Sequence, residues 1–178
     1  MTWALWITGL PGSGKSAIAA KVCTLLKGKI EVKLLELDEI RKFITPKPSY
    51  SEQEREIVYS SLVYMAKLLV DSGKPVIIDA TANRRRYRER ARDIITNFAE
   101  VYVKCSLDTC IERESSRRAK HAPAGIYKTA ETEGATVPGV NVAYEEPENP
   151  DVVVDSENMS VHECAEKIVA YIMKMSRQ

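Results

Sequence analysis

The chain has 178 residues, about one domain's worth, of which 44% are hydrophobic and 29% charged, values that exclude a disordered or fibrous protein. Lys and Arg total 26 against 25 Asp and Glu, and a net charge of +1 argues against duplex DNA as the main partner. The four cysteines, Cys23, Cys105, Cys110 and Cys164, have neither the paired spacing of a zinc site nor the density of a disulfide scaffold, so they read as reduced and mostly buried.

Residues 2–8 form a short apolar run with β-branched and aromatic members, which predicts a strand buried on both faces. The run lacks a basic start and is too short for an export signal, and no stretch of about 18 apolar residues occurs, so the expectation is a cytoplasmic protein with no membrane span. A glycine-rich turn follows, then a helix over 16–26 with Gly28 as its stop. Residues 31–37 predict a second strand, with Asp38 as N-cap of a short helix through Ile44 before Pro46 and Pro48. Ser51 caps a helix over 52–71, whose apolar stripe includes Ile57, Leu62, Met65, Leu68 and Leu69. A third strand over 75–78, a very polar helix over 84–97, a fourth strand over 101–105 and a helix over 107–118 come next. Residues 120–150 lose periodicity and read as a functional segment, a mobile lid over a site or a partly disordered stretch. A fifth strand over 152–154 and a helix over 161–175 close the chain. Alternating strands and helices predict a single α/β domain, residues 1–178, with a five-stranded parallel sheet, helices on both faces in three layers, and a lid region near 113–145.

Gly9, Leu10, Pro11, Gly12, Ser13, Gly14, Lys15 and Ser16 fit the G-x-x-x-x-G-K-[ST] phosphate loop, with a strand before it and a helix after it, as the motif requires. Its glycines let main-chain N–H groups converge on a polyphosphate, and the helix N-terminus adds positive dipole there. Lys15 is expected to reach the β- and γ-phosphates of ATP, and the Ser16 hydroxyl to ligate Mg²⁺, with Ala17 following in the same nucleotide-binding run. The fold class is accordingly that of the P-loop NTPases and kinases.

In an open parallel sheet, ligands sit at the carboxyl ends of the strands, where Glu36, Asp38 and Asp79 fall. Asp38 is the candidate base or acceptor-orienting group, and Asp79, ending Val76-Ile77-Ile78, resembles a Walker B carboxylate that holds Mg²⁺. Glu36 assists either neighbour. Arg41 and Arg55 are candidates to grip an anionic acceptor. Six of the nine residues from Arg84 to Arg92 are arginine; of these, Arg84, Arg85 and Arg88 lie nearest the ligand end, and the rest read as solvated surface. A second basic group, Arg113, Arg117, Arg118, Lys120 and His121, leads into the lid region, and at least one of its arginines is expected to touch the nucleotide.

These residues resemble the adenylylsulfate kinases, small P-loop kinases that use ATP to phosphorylate the 3′-hydroxyl of adenosine 5′-phosphosulfate. Beyond the phosphate loop, the segment from Leu35 to Arg41 is similar to the family's D-G-D-N-I-R, that from Tyr50 to Arg55 to F-S-x-x-D-R, that from Gly125 to Ala130 to G-L-Y-K-K-A, and that from Tyr144 to Pro147 to Y-E-x-P. The resemblance implies acceptor contacts from Arg41, Tyr50 and Arg55 with Asp38 next to the reacting hydroxyl. Asp79, Tyr127 and Lys128 join the candidate substrate-binding set, with packing of the lid as the alternative for Tyr127 and Lys128; Arg113 joins the candidate nucleotide-binding set, and Ser16, Asp38 and Asp79 form the candidate metal set. The resemblance further implies a small nucleotide as partner and, since dimers are common in the family, a homodimer. The chain departs from the pattern at Glu36, Val58, Thr81-Ala82-Asn83, Ala124 and Val137, the last replacing a phenylalanine that would stack on the acceptor's adenine.

A second resemblance covers the segment from Val76 to Asn83 and the arginines after it, which look like polynucleotide-kinase-like and seryl-tRNA-kinase-like proteins. On that alternative the basic helix tracks a nucleic-acid backbone. A third alternative, a slow-hydrolysing nucleotide switch, is disfavoured because no guanine-reading N-K-x-D segment occurs.

Overall fold

The computed structural model describes residues 2–116, 125–132 and 134–176. Its elements in chain order are β1 (Ala4–Thr8), α1 (Lys15–Leu26), β2 (Lys33–Glu36), α2 (Leu37–Ile44), α3 (Glu52–Asp71), β3 (Val76–Asp79), α4 (Arg85–Ile94), β4 (Phe98–Lys104), α5 (Leu107–Ser116), β5 (Val152–Asp155) and α6 (Val161–Met175). The five strands make one parallel sheet in the order β2-β3-β1-β4-β5. No helix among the described residues is long and apolar enough to cross a membrane.

All five residues of β1 are buried, as expected for a central strand of a sheet covered on both faces. Alternation along the strand divides the core in two. Trp3, Leu5 and Ile7 pack with Ile18, Val22 and Leu26 of α1 and Cys164, Ile168 and Ile172 of α6. Ala4 and Trp6 join Leu62, Val63 and Ala66 of α3 and Tyr87 and Ala91 of α4 on the opposite face. Each tryptophan finds a partner for its indole N–H: Trp3 donates to Ser176 Oγ (3.1 Å) and Trp6 to the Ala80 carbonyl (2.9 Å).

Several boundaries differ from the sequence reading: α4 ends at Ile94 instead of residue 97 and β2 starts at Lys33 instead of residue 31, and two further differences have identifiable reasons. The second strand stops at Glu36 because Leu37, buried against the α3 face, already has helical geometry; Glu36 is the N-cap and makes no side-chain cap bond. Asp38 is therefore not the cap but lies inside the first turn, where the dipole still favours its charge. The fourth strand begins at Phe98, three residues earlier than its apolar run, because the polar Glu100 within it is matched by Arg88 of α4. Asn97, at φ 58°, makes the left-handed turn between them, a conformation asparagine tolerates. Ser51 caps α3 by accepting from the Glu54 amide (3.2 Å), and Ser160 and Glu163 form a capping box on α6.

The aperiodic stretch is not featureless where it is described. Residues Lys128–Glu131 form one turn of 3₁₀ helix, and Tyr127 and Val137 bury themselves with Cys105, Cys110, Leu10 and Ile126 in a third, small core. The Tyr127 hydroxyl donates to the Pro11 carbonyl (2.6 Å), fastening this segment to the turn after β1. Arg117, Arg118, Lys120, His121 and Ala124 lie outside the described residues.

Candidate active site

The register of the sheet brings three chain segments to one level: Ile7 of β1 pairs with Asp79 of β3, and Asp79 pairs with Glu36 of β2. Above them opens a cavity of about 480 Å³. Pro11, Gly12, Gly14, Lys15 and Ser16 line one end, and Asp38, Arg41, Tyr50, Arg55 and residues 134–138 line the other.

At the first end the chain turns from β1 into α1 through left-handed glycines, Gly12 at φ 81° and Gly14 at φ 95°. A Cβ on Gly12 would stand 2.4 Å from the Cys110 carbonyl oxygen, so only glycine fits there. Gly14 is the N-cap of α1 and supplies no side-chain bond, which leaves the first amides of that helix for an anion. Lys15 is almost fully buried, and its Nζ donates to the Leu10 carbonyl (2.9 Å). Asp79 is buried beside it. Burial pushes the Asp79 carboxyl above its usual range, Lys15 and a hydrogen bond with Ser16 pull it down, and the nearby Asp38 and Glu36 charges push it up again.

At the second end the side chains hold one another. Arg41 of α2 pairs with Glu54 of α3 (3.0 Å), both side chains largely buried. Glu54 also accepts from the Ser49 and Tyr50 amides (2.6 and 3.2 Å) and the Ser49 hydroxyl (2.7 Å). Burial works to raise the Glu54 carboxyl, but these bonds and Arg41 outweigh it and hold it below the ordinary range. Tyr50 carries its ring under two guanidinium groups, 5.0 Å from Arg41 and 5.8 Å from Arg55, on a backbone at φ 54°. Arg55 donates to the Tyr50 carbonyl (3.0 Å), to Asn83 Oδ1 (3.4 Å), and to the Thr136 carbonyl and hydroxyl (2.6 and 3.1 Å). Burial lowers its guanidinium from the usual value.

The structure thus gathers Pro11, Gly12, Gly14, Lys15, Ser16, Asp38, Arg41, Tyr50, Arg55 and Asp79 around one space. Other sequence candidates stand apart from its lining. Glu36 is half-buried at the strand end, Gly9 and Ser13 lie within the loop, and Ala17 is exposed on α1. Tyr127 supports the loop through Pro11, and Lys128 is exposed. Arg113 is tied to Ser156, donating to its hydroxyl (3.2 Å) and carbonyl (2.8 Å), and Ser156 in turn donates to the Ser13 carbonyl (2.8 Å). Sequence reasoning missed Glu54, Asn83 and Thr136 as partners of the arginines. Glu54 lies inside a motif already singled out, whereas Thr136 sits in the aperiodic stretch, where no periodic signal could mark it.

The arginines of the polar helix have a different use. Arg84 pairs with Glu145, Arg85 with Glu148, Arg86 with Glu52 and Glu56, Arg88 with Glu100, Arg90 with Glu56, and Arg92 with Asp151 and Glu100. They bind α4 to α3 and to the segment before β5, and none lines the cavity. The expectation that Arg84, Arg85 and Arg88 reach a ligand is therefore not met by their positions, because acidic side chains from three directions engage them first.

The family profile described as adenylylsulphate kinase matches residues 1–155. A probable adenylyl-sulfate kinase of Pyrococcus abyssi is 38% identical over 169 residues, covering 93% of this chain and 91% of the relative. The adenylyl-sulfate kinase of Bacillus velezensis is 34% identical over 172 residues, covering 94% and 83%. The structure of the Mycobacterium tuberculosis APS kinase CysC in complex with AMPPNP and APS superposes with a TM-score of 0.84 at 28% identity, covering 97% of this chain and 98% of that one. The matched length, the phosphate loop at the tip of β1 and the sheet order agree, and the chain belongs to the adenylylsulphate kinase family of phosphotransferases.

Proposed function

We propose that this chain transfers the γ-phosphoryl group of ATP to the 3′-hydroxyl of adenylyl sulfate. The observation that carries this reading is one continuous cavity with a phosphate cradle at one end and Asp38, Arg41 and Arg55 at the other. Amides of the loop and of the α1 N-terminus, with Lys15, hold the β- and γ-phosphates and offset charge that develops during transfer. Arg41 and Arg55, already oriented by Glu54, Tyr50 and Thr136, hold the anionic end of the acceptor. Asp38, on the first turn of α2 and exposed to the cavity, accepts the proton of the attacking hydroxyl. Arg113, the candidate nucleotide contact, is held by Ser156, whose hydroxyl donates to the Ser13 carbonyl of the loop.

Among the described residues no group of three or more His, Cys, Asp or Glu side chains is arranged to hold a metal. The donor set nevertheless fits Mg²⁺, which takes only one or two protein oxygens and completes its shell with phosphate and water: the Ser16 hydroxyl and the Asp79 carboxylate are hard oxygen donors beside the cradle, with Asp38 close by. Mg²⁺ bound there would neutralise charge on the β- and γ-phosphates. Asp79, whose burial disfavours its ionised form, would regain that form beside the cation.

Among the described residues nothing in the side-chain arrangement favours a nucleic-acid acceptor, because every arginine of the segment 84–92 has an acidic partner. ADP release measured with adenylyl sulfate, other small nucleotides and an oligonucleotide tests the reading. Adenylyl sulfate is expected to give the largest stimulation, and absence of any stimulation above the acceptor-free rate would overturn it. Asp38→Asn should spare ATP binding and lower turnover at least about 10²-fold, the range of a lost general base.

A further inference from the structure

The start of α5 is built as a capped helix. Ser106 is the N-cap: its hydroxyl accepts from the Thr109 amide (3.3 Å) and its carbonyl from the Cys110 amide (3.0 Å). In such a terminus the residue before the cap and the fourth helical residue pack against each other as a hydrophobic staple. Here those two positions are Cys105 and Cys110, both in the small core beneath the phosphate loop, at 7% and 0% exposure. The staple is therefore made of two thiols.

The Cys110 thiol is pushed up to about 12 by burial and by its hydrogen bond with Cys105, so it stays protonated and unreactive by itself. Cys105 keeps 7% exposure where Cys110 has none, and the Arg113 guanidinium donates to its sulfur (3.6 Å).

We propose that Cys105 and Cys110 are a modification site, a dithiol that hydrogen peroxide converts to a disulfide and that thereby weakens nucleotide binding. In the first step the Cys105 sulfur attacks one peroxide oxygen and the O–O bond breaks. One oxygen stays on sulfur as the sulfenic acid, and the other leaves and takes the thiol proton as water. In the second step the Cys110 sulfur attacks the Cys105 sulfur, the S–O bond breaks, and the hydroxyl departs with the Cys110 proton as a second water. Two thiols and one peroxide give one disulfide and two waters, with two electrons passing from sulfur to oxygen.

Two contacts link this site to the nucleotide. Cys105 is a partner of Arg113, which holds Ser156 and through it the Ser13 carbonyl of the loop. The Cys110 carbonyl rests directly on Gly12. Forming the bond removes Cys105 as a partner for Arg113 and shifts the backbone that abuts the loop.

The test treats the full, folded chain with hydrogen peroxide and reads tryptic peptides without reduction. Cleavage after Lys104 and Arg113 releases both cysteines in one peptide, residues 105–113. That peptide is expected to be lighter by two hydrogens and to regain its mass on treatment with dithiothreitol. ATP affinity, measured by calorimetry, should fall about fivefold or more, the scale of one lost hydrogen bond. Cys105→Ala should keep its ATP affinity through the same treatment. A peptide of unchanged mass, or one that only gains oxygen, overturns the proposal, as does a disulfide that leaves ATP affinity unaltered. The affinity arm rests on the proposed ATP site, whereas the mass arm does not: a reduced chain that fails to bind ATP indicts that reading and leaves the dithiol to be judged by mass.

Discussion

At the phosphate end of the cavity, eight consecutive residues from Gly9 to Ser16 supply the cradle, with β1 and α1 as rigid supports. At the acceptor end the wall is drawn from α2, the turn at Tyr50, α3, the chain after β3 and residues 134–138, and its arginines are held by partners as distant in sequence as Thr136 is from Arg55. A cradle of main-chain amides depends on backbone conformation and tolerates little change. A wall of side chains depends on pairings, and each member can be replaced if its partners adjust. The departures from the family pattern follow that division. The loop fits its motif at every position, while Val58, Asn83 and Val137 alter the region of the acceptor. Val58 is now a core residue, Asn83 has become a buried partner of Arg55, and Val137 joins the small third core while lining the cavity.

Substitutions should expose the contrast. The largest effect is expected from Lys15→Ala, which removes a buried cation from the cradle and should lower kcat/KM for ATP by about 10²–10³-fold, the scale of a lost preorganised donor. Steady-state kinetics with ATP varied checks it, and a change confined to the acceptor KM would break the division of labour between the two ends.

Next in size is Arg88→Met. It strands the carboxylate of Glu100, whose side chain is 11% exposed, and removes bonds to the Ala82 and Glu145 carbonyls. Stability should fall by about 3–5 kcal/mol, as for breaking one side of a buried pair. Urea titration reads this. A loss below about 1 kcal/mol would mean that water reaches the pair and that the α4 arginines are surface decoration after all.

The smallest effect is expected from Glu54→Gln, which leaves the cradle intact and loosens Arg41. The acceptor KM should rise about tenfold, the equivalent of about 1.4 kcal/mol, with the ATP KM unchanged. The same residue gives a pH signature. Because the folded Glu54 carboxyl lies below its ordinary value, its contribution to stability is full above the ordinary carboxylate range and is lost as the pH falls through the lowered value. Glu54→Gln should flatten that acid limb in urea titrations at pH 3 to 6 (about the span over which carboxylates titrate), and an unchanged limb would remove Glu54 as its source.

The sheet, its helices and the phosphate loop were legible in the sequence because each rests on local signals: the continuous apolar run of β1, the Ser51 cap of α3, glycines where the chain must turn left-handed. Asp38, Arg41 and Arg55 could be named from short motifs, but what orients them could not. The bond from Arg55 to Thr136 spans a segment without periodicity, and the mutual neutralisation of α4 with Glu52, Glu56, Glu145 and Asp151 depends on packing that charge counts do not reveal. The start of β4 was hidden for the same reason, since Glu100 reads as surface until Arg88 is placed against it.

The two indoles, one on each side of the sheet, give the molecule its own optical gauge. Trp6 is hydrogen-bonded to the Ala80 carbonyl, and Ala80 and its neighbour Thr81 border the space where ligands are expected, while Trp3 is anchored far off at Ser176. A ligand that moves the end of β3 would alter the polarity felt by one fluorophore and leave the other as an internal standard, so occupancy can be followed in the unlabelled protein by its emission.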